Sequence, residues 1–282
     1  MLKKLLKHEF KALSKTIVVI LALVLATSVA TALLSRVTTG IFSNNDLSSG
    51  FISSLFAFFA WLGFIALITT PFIVLILVIN RFYTNFFKDE GYLTFTLPVP
   101  TSNLYNAKII GGSVMLLLSA IVGICGAIFT MMILTGNNES FLNTEIIKII
   151  YDIIVESFSI NFSMSEVILI IEFIVYFIVE AIGILILIYL AITISCTKFN
   201  KRRVLMGIVI YYGLNIAKNI INTIVLSIFS GFNFNEDPFV GSPDMITTIT
   251  IFMLVTILVS IGISVFAYSY NRKMLSKNLN LD

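Results

Sequence analysis

The sequence predicts an all-α integral membrane protein of about six transmembrane helices, and three observations predict it. The first is composition. The 282 residues are 58% hydrophobic and 12% charged, against about 45–50% and about 25% in soluble domains. The second is length: six apolar runs reach the roughly 20 residues that a helix needs to cross a hydrocarbon layer about 30 Å thick. The third is charge placement. Fifteen of the 18 Lys and Arg residues fall on one side of the implied layout, a positive-inside pattern that puts both termini in the cytoplasm. The net charge of +3 carries far less information than this segregation.

The runs are 16–39, 51–79, 109–135, 167–195, 204–230 and 246–270, and together they form a single transmembrane domain covering 1–282. Ahead of the first, Leu2, Leu5, Leu6, Phe10 and Leu13 share one helical face. Lys3, Lys4, Lys7, Lys11 and Lys15 lie mostly off it. That pattern predicts a basic amphipathic helix on an anionic inner leaflet. Ala30-Thr31-Ala32 looks like a signal-peptidase site, but the apolar run continues through Leu33 and Leu34, so an uncleaved N-terminus is expected. Pro71 lies inside the second run and predicts a kink. In the third run Ser119, Gly123, Gly126 and Ala127 permit close helix approach, read as packing within the chain.

The outer loop, 136–166, carries Ile146, Ile149, Ile150, Ile153 and Ile154 opposite Glu145, Lys148, Asp152 and Glu156. This is an amphipathic helix too short and charged to span, lying over the helix ends or gating a path. Asp46, Glu139, Glu166, Glu236, Asp237 and Asp244 also fall outside, in agreement with the orientation.

Three ionisable residues fall within spans, where a charge costs roughly 2.5–3.5 kcal/mol on insertion scales and so faces protein or water. Glu172, Tyr176 and Glu180 share a face of the fourth run; Asn215, Lys218, Asn219 and Asn222 share a face of the fifth. Glu180 and Lys218 are candidates for a pair, with depths matched to a couple of turns. Two readings stand: polar residues that glue helices together, or the lining of a translocation path. For Glu172 a third is that it reaches the outer headgroups.

Several chemistries are excluded or disfavoured. The chain has no GxxxxGK[ST] phosphate loop, no His-Glu-x-x-His and no GxSxG. Its only histidine, His8, sits in the basic leader, so neither a multi-histidine zinc site nor any other metal site is expected. No span carries an aspartate. Cys125 and Cys196 lack partners at ligand or redox-motif spacing and read as packed free thiols. No catalytic residue and no cofactor are expected in this chain.

The cytoplasmic loop 80–108 is the most informative segment. Phe82, Tyr83, Phe86 and Phe87 form an aromatic stripe, followed by Lys88-Asp89-Glu90-Gly91 and a Tyr92–Pro100 segment ended by Pro98 and Pro100. So many apolar side chains beside water predict either a docking surface or a segment folded back on the protein. The stretch EGYLTFTLPV, with Thr101, Leu104 and Lys108 beyond it, resembles membrane subunits of ABC transporters of the type 2 exporter class in low-GC Gram-positive bacteria. The opening MLKKLLKHEFKALSK looks like the start of the same proteins. Specific likeness covers these two segments; the rest is likeness of layout, and the long outer loop departs from the smallest family members.

The resemblance implies a permease in a bacterial cell membrane with no ATPase site of its own, paired with a second permease subunit in a homo- or heterodimer. A separate ATP-binding subunit would hold ATP and Mg. The loop would supply the coupling contact, with Phe86, Phe87, Glu90, Gly91, Tyr92, Thr94, Pro98 and Leu104 as docking residues. The loop 231–245 would correspond to a re-entrant region before the last span. Lipid is the other partner; no nucleic acid is expected. Two alternatives from other classes stay open: a non-transporting membrane scaffold or sensor subunit, and an ion-coupled secondary transporter using Glu172, Glu180 and Lys218. The lack of paired internal repeats counts against the latter.

Overall fold

A computed structural model describes residues 2–40, 47–88, 91, 96, 99–135, 164–199, 201–233 and 243–277. They form six helices: α1 (Leu2–Gly40), α2 (Leu47–Phe87), α3 (Thr101–Thr135), α4 (Met164–Lys198), α5 (Arg203–Asn233) and α6 (Pro243–Lys277). Each contains a stretch long and apolar enough to cross a membrane, and no strand occurs among the described residues. The protein is an all-α, multi-pass membrane protein. Its surface says the same: Phe266 is 73% exposed, Trp61 68% and Leu258 66%, an arrangement that only lipid solvates. Hydroxyls within the helices are satisfied internally. Ser28, Thr31, Thr70, Ser119, Thr130 and Thr193 all donate to carbonyls three or four residues back, as a hydrocarbon surrounding requires.

The helices overrun the apolar windows. The basic leader is not a separate element but the first turns of α1, which continues unbroken through Ala30–Ala32. The loop expected over 80–108 is shorter, because α2 runs to Phe87 and α3 begins at Thr101, directly after Pro100. The added turns of α2 and α3 are held by packing: Phe82, Phe86, Leu104 and Tyr105 are buried. The amphipathic helix expected within 136–166, carried by residues 145–156, lies outside the described residues, as does most of the 231–245 segment.

The chain falls into two compact units. One comprises Lys11–Ile76 and Met115–Asn161. Here small residues set the helix spacing. A Cβ on Gly123 would come within 3.0 Å of the Leu67 carbonyl oxygen. Residue 67 is four before Pro71, so proline's missing N–H leaves that carbonyl without its helical donor. α2 continues through Pro71 as one helix, with the bare Cα of Gly123 against the freed oxygen. Gly126 lies against Leu67 and Ser28 in the same way. The small-residue stripe of α3 thus serves packing within the chain.

The other unit comprises Met1–Phe10, Leu77–Val114 and Phe162–Asp282. α4 is its centre: every residue from 185 to 191 is buried, so this stretch is apolar all round because it is covered all round, whereas Ile171, Phe173 and Ile174 nearer its start are exposed. It packs against α5 and α6. Gly183 allows α6 to approach, since a Cβ there would sit 2.9 Å from Ser264 Oγ. Lys198 closes the last turn of α4, where its charge complements the helix dipole.

Candidate functional site

The polar stripes of α4 and α5 meet because the hairpin between them has arms of equal length. At its closed end the Ser195 hydroxyl donates to the Arg203 carbonyl. Fifteen residues separate Glu180 from Ser195, and fifteen separate Arg203 from Lys218, about 22 Å of helix on each side. The two charges therefore arrive at the same level. Lys218 Nζ lies 2.5 Å from Glu180 Oε2, and α6 contributes Ser260, whose hydroxyl donates to Glu180 Oε1 at 2.6 Å. Both carboxylate oxygens are engaged, and three helices converge on one carboxylate. The side chains of Lys218 and Glu180 are only 9% and 19% exposed.

The remaining predicted residues divide. Tyr176 is half-buried one turn from Glu180. The Asn215 amide donates to the Tyr211 hydroxyl at 3.4 Å. Asn219 is exposed and stands apart from the pair. Glu172 has little accessible surface, and among the described residues its Oε2 has no hydrogen-bond partner; nor has the buried Oδ1 of Asn222. By helical register Glu172 lies about two turns and Asn222 about one turn beyond the ion pair, on the side away from the closed end of the hairpin. Ser260 was missed, because a serine in an apolar run gives no signal by itself.

A second cluster stands at the roots of the 88–100 connection. Glu9 Oε1 lies 2.6 Å from Lys108 Nζ, and its Oε2 lies 3.1 Å from Arg81 Nε. One carboxylate thereby joins the start of α1 to the end of α2 and the start of α3. The signal was available: Glu9 is the sole acid in a leader of lysines. Beside it the aromatic stripe forms a core. The rings of Phe82 and Tyr189 stack at 3.9 Å and 14°, and Phe86 continues the stack at 4.8 Å from Phe82. Tyr105 stacks on Tyr268 at 5.5 Å and accepts a hydrogen bond from Asn271 at 2.9 Å. The Tyr268 hydroxyl donates to Asn106 at 2.6 Å. Both loop roots are thus fastened to α4 and α6.

This changes the reading of the docking residues. Phe86, Gly91 and Leu104 are buried, so they present no surface in this conformation. Phe87 is half-buried. Gly91 donates its N–H to the Lys88 carbonyl at 2.7 Å, and a Cβ there would stand 2.9 Å from the Phe86 carbonyl oxygen; only glycine fits this turn without displacement. Glu90, Tyr92, Thr94 and Pro98 lie outside the described residues. Among the described residues, no group of three His, Cys, Asp or Glu side chains is placed to hold a metal ion.

Compared with known protein families, with curated proteins and with solved structures, the chain matches none.

Proposed function

We propose that this chain is the membrane-spanning permease subunit of an ATP-driven ABC exporter in a bacterial cell membrane, with its basic helix ends in the cytoplasm. The sequence resemblance at EGYLTFTLPV supplies the family. The observation that carries the mechanism is the fastening of both roots of the α2–α3 connection to α4 and α6, through Phe82–Tyr189 and Tyr105–Tyr268. In this reading a separate ATP-binding subunit binds ATP and Mg and pushes on residues 88–100 as it closes. Stacked aromatic groups are stiff and densely packed, so they transmit displacement rather than absorb it. The push is delivered to the two helices that hold Glu180 and Ser260. Movement of α4 and α6 would then open or close the polar column that runs from the Glu180–Lys218 pair towards Glu172 and Asn222. A second permease subunit would complete the path.

The test is an affinity pull-down of the full chain from gently solubilised membranes, followed by mass spectrometry. Recovery of a stoichiometric protein with a phosphate-binding loop is the expected result. If none is recovered, and crosslinking in intact membranes also finds none, the exporter reading falls. A second reading, an ion-coupled transporter, is favoured by the buried Glu180–Lys218–Ser260 cluster, since intramembrane ionisable groups mark ion and proton pathways elsewhere. It predicts transport that needs a proton or sodium gradient and proceeds without ATP.

A further inference from the structure

A cleft of about 350 Å³ opens between the first turn of α3 and the last turns of α6, lined by Thr101, Ser102, Tyr268, Ser269, Arg272, Lys273 and Ser276. Its charge is one-sided. Among the described residues the ion pairs are those of Glu9 with Arg81 and Lys108, and of Glu180 with Lys218; Arg272 and Lys273 belong to neither set. No carboxylate lines the cleft, whereas hydroxyls do. Both side chains are exposed, so their donors reach an incoming group. The N-terminus of α3 adds its partial positive charge to the same space.

The position matters as much as the charge. The apolar run of α3 begins at 109 and that of α6 ends at 270, so the cleft lies at and just beyond the edge of the hydrocarbon, at the level of the headgroups. Cations near a helix C-terminus also suit that helix's own dipole, but that interaction needs neither a cleft nor hydroxyls from a second helix. Guanidinium and ammonium donors, with hydroxyl groups between them, match the oxygens of a phosphate. Basic pockets between transmembrane helices at this level are suited to anionic headgroups.

We propose that this cleft binds a phosphate group, and that the phosphate is the headgroup of an anionic phospholipid. Arg272 and Lys273 neutralise it, and Ser102 and Ser269 donate hydrogen bonds. The bound lipid pins the start of α3 to the end of α6, beside the Tyr105–Tyr268 stack.

The experiment uses the purified full chain, delipidated in detergent, with phosphatidylglycerol titrated and bound lipid counted by native mass spectrometry. Phosphatidylcholine and inorganic phosphate are titrated in parallel. Wild type is expected to hold phosphatidylglycerol in preference to phosphatidylcholine. The double variant Arg272→Gln/Lys273→Gln is expected to bind it at least about tenfold more weakly, as loss of two surface cations implies. Arg272→Lys retains the charge and should keep most of the binding, which separates loss of a site from loss of fold. As a control, Lys201→Gln/Arg202→Gln removes two exposed cations elsewhere and should leave binding unchanged. Equal retention by wild type and the Arg272/Lys273 double variant, both with native helicity, overturns the site. Equal binding of the two lipids also overturns it. Displacement of the lipid by millimolar inorganic phosphate would overturn the lipid assignment in favour of a soluble anion.

Discussion

Removing either half of the Glu180–Lys218 pair should destabilise the protein far more than removing both. In Glu180→Gln the ammonium of Lys218, 9% exposed, keeps its charge and loses the carboxylate 2.5 Å away. In Lys218→Met the carboxylate is left, among the described residues, with the Ser260 hydroxyl as its donor, at 2.6 Å. Breaking a buried pair from one side costs about 3–5 kcal/mol, whereas replacing both charges by uncharged groups of similar volume is often neutral. The partial exposure of Glu180, 19%, favours the lower end of the range. We expect about 3 kcal/mol from each single variant and no more than about 2 kcal/mol from Glu180→Gln/Lys218→Met. The coupling energy is then about 4 kcal/mol. The assay is reversible denaturant unfolding in mixed micelles, run as a double-mutant cycle with helicity as the readout. Additive effects, with the double variant near 6 kcal/mol, would refute the argument that the two charges compensate each other. In the proposed exporter, Glu180→Gln should also reduce transport; full transport at normal expression would remove Glu180 from the path.

Four further expectations concern other parts of the fold. Phe86→Ala should cost about 3–5 kcal/mol, as for a fully packed aromatic, and Phe87→Ala clearly less; equal losses in thermal unfolding would contradict the burial difference. Phe87→Asp should weaken capture of the ATP-binding subunit in a pull-down while leaving membrane insertion intact, and undiminished capture would remove Phe87 from the docking surface. Gly123→Leu should destabilise by more than about 3 kcal/mol, because the added atoms meet backbone at Leu67 that cannot step aside; a stable, fully folded Gly123→Leu protein would count against this packing. Arg202 has φ of 56° at the α4–α5 turn, so Arg202→Val should cost about 1–3 kcal/mol and Arg202→Gly little, the cost of a β-branched residue in the left-handed region; equal unfolding midpoints would be inconsistent with that geometry.

How much could be read beforehand depended on which physical effect dominated each segment. The six helices were legible because hydrocarbon imposes one solution on an apolar run of sufficient length. The Glu180–Lys218 pair was legible as a candidate because both residues violate that composition. Helix ends were not, since outside the bilayer window tertiary packing decides where a helix stops. Phe82 and Phe86 illustrate the limit. Their spacing fits an exposed aromatic stripe and a buried stack equally well, and only the arrival of Tyr189 from a hundred residues away selects between them. Ser260 and Glu9 are of the same kind: single residues whose role is set by partners distant in the chain. Glu9 was the more recoverable, because an acid among lysines invites the question of what it neutralises.

The equal arms of the α4–α5 hairpin make its length a coded quantity. Deleting one residue between Arg203 and Lys218 would turn every side chain beyond the deletion by about 100° and shift it by about 1.5 Å. Lys218 would swing off the face it shares with Glu180, and the exposed Asn219 side of the helix would no longer be the side that meets lipid. Inserting four residues would restore the face but displace the ammonium by about 6 Å, a full turn past its partner. The hairpin therefore tolerates exchange of side chains far more readily than change of spacing. Variation in this region of the protein should appear as substitutions, with insertions and deletions confined to the turn at 199–202 or to the far ends of the two helices.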